Sequence, residues 1–191
     1  MTSMLIEGAT GIFTGLPGEA MRAKGSIRVR DGRVVGIGAL AREPGERVID
    51  PSGCGIYPGL ISTHHHLLQS VLKAVRPGLD SPLFQWLRHV PYRFWHKIDE
   101  EALRVSAEIG LAELLLSGTT TAADHHYLFG DFYRFDPAGV IFDVARKLGL
   151  RLVLCRGGAT KPRSFDTPDP GEMPPERPDR MLASVQACGS R

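Results

Sequence analysis

A chain of 191 residues can hold one well-packed domain or half of a larger one, because domains mostly run to about 100–200 residues. Its hydrophobic share of 42% and charged share of 23% are ordinary for a globular protein, and a formal net charge of +2 creates no field that would draw nucleic acid. No stretch reaches the roughly 18 uncharged apolar residues of a membrane span, and the first residues do not read as a secretory leader. The expectation is a cytoplasmic protein that meets a small molecule, with neither nucleic acid nor membrane as partner. Cys54, Cys155 and Cys188 are widely spaced and odd in number, so they read as reduced thiols rather than a disulfide framework or a CxxC zinc site.

Residues 26–38 read SIRVRDGRVVGIG. Ile27 and Val29 alternate with polar residues, Asp31-Gly32 turns the chain, and Val34, Val35 and Ile37 return, which predicts a β-hairpin. With residues 4–13 before it and 47–50 after it, the segment 1–54 reads as a small layer of short antiparallel strands joined by Gly- and Pro-containing turns.

The pattern changes at Gly55. GIYPGLISTHHH, residues 55–66, is a short apolar run without clean alternation, as expected of a strand buried on both faces. Residues 99–117 predict a helix: Asp99 caps it, Glu100 and Glu101 suit the positive end of its dipole, and Gly118 suits the stop. Ala102, Val105, Ile109, Ala112 and Leu116 are its expected inner stripe. TTTAAD at 119–124 reads as a second strand, Asp136-Pro137 opens a helix that Gly149 closes, and residues 150–155 form a third strand. Strands alternating with helices imply parallel pairing, hence an α/β layer or barrel over 55–160. Residues 161–191, crowded at first with proline and charge, read as a poorly ordered tail in which the fold is cut short.

The chemistry centres on His64 and His66. Residues two apart on a strand face the same way, so both imidazoles can aim at one point while His65 faces the other side. Imidazole is a common zinc ligand, and the C-terminal ends of parallel strands are where α/β folds place their ligands. Without that setting, an HxH pair reads more simply as a polar loop. Asp124, His125 and His126 end the second strand; His125 is the one taken as a pocket residue, although paired histidines at a strand end are more often structural. Phe84, Trp86 and Trp95 can stack on a flat ring, but aromatics between a strand and a helix are more often core.

These segments together resemble a known family. PGLISTHHHLLQS at 58–70 resembles the first-strand motif of the amidohydrolase superfamily, in its aminohydrolase (deaminase) branch. The likeness continues through SPLFQWL at 81–87, PYRF at 91–94, SGTTTAADHHY at 117–127 and LRLVLCRGGAT at 150–160, and the preceding β-layer resembles that family's small sandwich. The resemblance implies the first three strand-helix units of a (β/α)8 metal-dependent hydrolase barrel after a small β-sandwich. It is an incomplete barrel, because eight strands take about 250 residues.

The same resemblance implies hydrolytic deamination of a pterin- or purine-like ring, with His64 and His66 as ligands of one divalent metal, zinc by preference. It makes Gln69, one helical turn on, a substrate-binding amide and brings the Arg156 guanidinium to the pocket as a paired donor. A helix-surface residue and a surface salt bridge are the plainer readings of these two. The family's general acid, a glutamate in an HxxE motif, and its later His and Asp ligands have no counterpart here. Asp166, Asp169, Glu172 and Glu176 lie in the proline-rich stretch and are poor substitutes. The chain therefore reads as the N-terminal portion of a deaminase, inactive alone, whose full-length parent can be a homo-oligomer.

Two rivals remain at this stage: another amidohydrolase that opens a cyclic amide or attacks a triazine with the same histidines, and a truncated product that binds a partner without catalysis. A dinucleotide-binding domain fares badly, since no GxGxxG follows a strand.

Overall fold

The computed structural model describes residues 3–161 and 175–189. The chain divides into two compact units, Met1–Gly59 and Leu60–Arg191.

The first unit holds seven short strands: β1 (Ser3–Ile6), β2 (Gly11–Phe13), β3 (Arg22–Ala23), β4 (Ser26–Arg30), β5 (Arg33–Gly38), β6 (Arg47–Ile49) and β7 (Gly55–Ile56). The expected hairpin is β4–β5, and both turn residues, Asp31 and Gly32, have positive φ (47° and 77°). That is the combination a two-residue turn between right-twisted strands requires. The strands form two sheets, ordered β5-β4-β1-β6 and β3-β2-β7. Not all pairing is antiparallel as expected: β1 with β6 and β2 with β7 run parallel, since each pair is joined by a long excursion rather than a turn. The β2–β7 pairing also draws residues 55 and 56 into this unit, so the boundary falls at Gly59 rather than 54.

One ion pair ties this unit together. Glu46, whose side chain is 1% exposed, accepts from Arg28 Nε at 2.6 Å, from the Ser3 hydroxyl at 2.8 Å and from the Glu43 amide at 2.9 Å. The hydrogen bond from Arg28 does most to hold the Glu46 carboxyl down at about 2.

The second unit begins with β8 (Leu60–His65), followed by 3-10 turns at Leu67–Leu72 and Arg76–Gly78, short helices α1 (Leu83–His89) and α2 (Pro91–Phe94), and a 3-10 turn at Trp95–Lys97. Then come α3 (Glu100–Leu116), β9 (Thr119–His126), α4 (Pro137–Leu148), β10 (Arg151–Arg156) and α5 (Pro178–Gly189). The sheet is ordered β10-β9-β8 and wholly parallel, with β9 in the middle. Asp99 caps α3 through its side chain to the Ala102 amide at 2.8 Å, and Gly149 ends α4 in the left-handed conformation.

The structure departs from the reading of the sequence in three further places. The buried stripe of α3 is Leu103, Ser106, Ala107, Gly110 and Leu111, whereas Val105, Ile109 and Leu116 are exposed. The most apolar stripe is therefore not the inner one, because the inner one trades bulk for close approach through Ser106 and Gly110. Next, β8 is not buried on both faces: it is an edge strand, and Leu60 and Ile61 are 58% and 69% exposed. Finally, the expected tail contains α5; its residues 162–174, including Asp166, Asp169 and Glu172, lie outside the described residues.

The core of the second unit joins Leu67, Leu68 and Leu72 after β8 to Leu103, Ala107 and Leu111 of α3 and Ile141 and Val144 of α4. None of the helices among the described residues is long and apolar enough to cross a membrane, and all three cysteines are free thiols.

The Arg28–Glu46 pair carries a pH signature. A carboxyl held below its ordinary value of 4.5 adds stability that is complete above that value and lost as pH falls towards about 2. Urea unfolding followed between about pH 5 and pH 2 should show a falling midpoint, and Glu46→Gln should flatten that part of the slope.

Candidate metal and substrate site

Strand β9 separates the two sides of the second unit. Ala122, Asp124 and His126 are buried towards the helices, and His125 points to the other side. Strand β8 joins this pattern through an irregularity: Ser62 pairs with Ala122 and His65 with Asp124, so three steps on β8 match two on β9. Such a bulge re-aims the side chains that follow it. It puts His65 near α3, where a Cβ built on Gly110 would lie 3.4 Å from the His65 ring, and leaves His64 and His66 on the side of His125.

There the two rings converge. His64 Nε2 and His66 Nε2 are 3.2 Å apart, with the ring planes nearly perpendicular. His66 Nδ1 lies 2.7 Å from the His125 carbonyl oxygen, which can only accept, so Nδ1 carries the hydrogen and Nε2 presents a lone pair. A metal-ligating imidazole is held in this way, its far N–H on a carbonyl. Partial burial lowers the His66 pKa below its ordinary value and so favours the neutral, ligating ring. Two nitrogens bound at about 2.0–2.1 Å to one tetrahedral zinc lie about 3.3 Å apart, close to the observed separation. The pair therefore fits a zinc ion as two of its ligands. Among the described residues no group of three or more His, Cys, Asp or Glu is placed to hold a metal.

His125 supports the pair. Its ring stacks on His64 with centroids 4.2 Å apart, its Nε2 lies 3.2 Å from the Thr63 carbonyl, and its own carbonyl orients His66. Beside the pair opens a cleft of about 410 Å³ lined by His64, His66, Gln69, Ser70, Lys73 and Trp86, among others. Gln69 therefore lies in the cleft beside the two histidines. Its Nε2 donates to the Tyr127 hydroxyl at 3.0 Å, which holds the amide. Tyr127, which the sequence reading did not single out, also meets the His66 ring edge-on. Its place directly after Asp124-His125-His126 was the available signal.

Arg156 is not at this site. The register pairs Arg156 with His126 and Cys155 with His125, so Cys155 shares the side of the histidines and Arg156 the opposite one. Its guanidinium is taken up by Glu176 through both terminal nitrogens, by the Gly157 carbonyl at 2.9 Å and by the Ser184 hydroxyl at 3.2 Å of α5, and it stacks over Phe129. It is a buried structural ion pair. Of the aromatics, Trp86 lines the cleft, Trp95 packs against Phe132, and Phe84 is exposed.

Comparison with known proteins bears on this geometry. The profile of the amidohydrolase family matches residues 56–180, about two thirds of the chain. The chain belongs to the amidohydrolase family.

Among its curated relatives is an isoxanthopterin deaminase from an unknown prokaryotic organism, 44% identical over 99% of this chain and 40% of that protein. An 8-oxoguanine deaminase from Pseudomonas aeruginosa is 36% identical over 100% of this chain and 41% of that protein. The fold superimposes on an amidohydrolase from a Sargasso Sea environmental sample, with a TM-score of 0.82 and 39% identity over 99% of this chain and 42% of that one. A zinc-complexed atrazine chlorohydrolase from Arthrobacter aurescens TC1 also gives a TM-score of 0.82, at 26% identity over 98% of this chain and 43% of that one. The chain spans about two fifths of the length of the curated relatives it matches.

Within this amidohydrolase chain the turn after His66 has no room to move. A Cβ on Gly110 would come within 2.6 Å of Ser70 Oγ and 2.8 Å of Leu67 Cδ2. Gly110→Val should cost about 2 kcal/mol of stability through overpacking, read as a lower urea midpoint at unchanged slope.

Proposed function

We propose that this chain supplies two zinc ligands and part of the substrate cleft of a hydrolase that removes ammonia from a pterin- or purine-like ring. The observation that carries the reading is the convergence of His64 Nε2 and His66 Nε2 at 3.2 Å, beside a cleft that also holds Gln69. Support comes from the two deaminases among the relatives and from the zinc-complexed solved structure.

Bound between these histidines, zinc would lower the pKa of a coordinated water from 15.7 to about 7 and so make a nucleophile available at neutral pH. The chain's own residues set the geometry. The His125 carbonyl orients the His66 ring, the His125 ring backs His64, and Tyr127 holds the Gln69 amide so that its carbonyl can accept from a ring N–H. Trp86 lines the same cleft and offers an apolar wall to a flat ring.

The leaving amine must also be protonated. Among the described residues the cleft lining includes no carboxylate, so the reading assigns this chain ligand and binding roles and leaves the general acid unassigned. The likeness to an atrazine chlorohydrolase favours one second reading, a triazine hydrolase that releases chloride at the same histidines.

Metal analysis after dialysis tests the ligand claim. A parent protein carrying this segment should retain zinc, and His64→Ala with His66→Ala in it should lose most of that zinc; equal zinc in both would end the proposal. For the leaving group, a parent protein carrying this segment should release ammonia from isoxanthopterin or 8-oxoguanine. Chloride release from atrazine without ammonia from either ring would favour the second reading.

A further inference from the structure

Behind the two histidines, on the helix side of β9, lie two buried polar groups that the proposed chemistry does not use. Asp124 and His126 are both 0% exposed. Asp124 Oδ1 accepts the Leu67 N–H at 2.8 Å, while among the described residues Oδ2 has no hydrogen-bond partner. His126 Nε2 lies 3.1 Å from the Leu128 carbonyl, so it carries the ring hydrogen, and among the described residues Nδ1 has no hydrogen-bond partner. The two orphaned atoms, Asp124 Oδ2 and His126 Nδ1, face each other at 3.8 Å.

A bare carboxylate oxygen opposed to a bare imidazole lone pair would leave two unsatisfied acceptors in the interior, each at a desolvation cost. One proton removes both penalties. The atoms stand beyond hydrogen-bond range at 3.8 Å, and the soft Asp χ2 torsion allows the carboxyl to turn towards the ring. Burial works in the same direction on each group, raising the Asp124 carboxyl to about 7 and lowering the His126 ring to about 3, so the proton belongs on the carboxyl.

Leu67 directly follows His66 and opens the turn that carries Gln69. Its N–H goes to Asp124, and its carbonyl accepts from the buried Ser106 hydroxyl of α3 at 2.7 Å. Side chains from two different elements thus hold both polar groups of one residue between the metal-ligand pair and the substrate amide.

We propose that Asp124 and His126 share one proton between Oδ2 and Nδ1, and that this buried pair positions His66 and Gln69 through the Leu67 backbone. Asp124 is then a positioning residue acting as a neutral acid, which is neither a metal ligand nor a base. The positioning part rests on the zinc site proposed above; the shared proton does not.

The neutral-acid claim makes Asp124→Asn a faithful substitute, because its amide oxygen can accept from Leu67 and its NH2 can donate to His126. Asp124→Leu, similar in size, can do neither. In a parent protein carrying this segment, zinc affinity measured by competition with a chromogenic chelator should change less than about threefold in Asp124→Asn. It should fall about 10- to 100-fold in Asp124→Leu, the usual loss when an outer partner of a metal ligand is removed. Equal losses in both variants would show that Asp124 acts as an anion and overturn the shared proton; wild-type affinity in Asp124→Leu would overturn the positioning role.

Nitrogen-15 spectra of the histidine rings in metal-free wild type supply a second measurement that needs no variant to fold. His126 should appear as the neutral Nε2–H tautomer with a hydrogen-bonded Nδ1, and a charged ring or a free Nδ1 would refute the pair. If zinc binds no better to wild type than to the double-alanine variant, the proposed function fails while this spectroscopic result stands on its own.

Discussion

The strict alternation of side chains along β9 is the constraint on which the rest of the second unit depends. As the middle strand it is paired on both edges, so its residues cannot rotate, and each has one side to face. Ala122, Asp124 and His126 must meet the helices, and His125 must meet His64 and His66. One strand thereby carries buried polar groups on one side and the support of the His64–His66 pair on the other.

The bulge in β8 turns this constraint into a site. An even register from Ser62 to His65 would shift every later side chain to the other face; the extra residue instead places His65 beside α3 and its two neighbours on the open side. The close packing that follows explains why α3 buries Ser106 and Gly110 where a larger apolar residue would be the simpler choice for a core. A serine is needed to satisfy the Leu67 carbonyl, and a glycine is needed because any Cβ would collide with that turn. Packing, polar satisfaction and site geometry therefore meet at one short segment, residues 65–70.

Arg156 illustrates how far a residue-by-residue likeness can be carried. As a guanidinium at the end of a strand next to the pocket strand it had the right chemistry, but strand register sets its side, and Glu176 with α5 supplies its partners. A charged group buried beside an opposite charge stays with that charge, because separating them would leave both unpaired in a poor solvent. Gln69, by contrast, sits within the first turn after His66, where local geometry alone keeps it near the two histidines.

Much of the molecule follows from local signals. The Asp-Gly hairpin, the Asp99 cap, the Pro137 start and Gly149 stop of α4, and the two-residue spacing of His64 and His66 are each set within a few neighbouring residues, so sequence alone determined them. The tertiary structure decided what depends on partners distant in the chain: which stripe of α3 is buried, the parallel return of β6 and β7, and the side on which Arg156 lies. The facing of Asp124 and His126 around the Leu67 backbone belongs to the same group. Periodicity names the two faces of an element, but only register and packing say which face meets what.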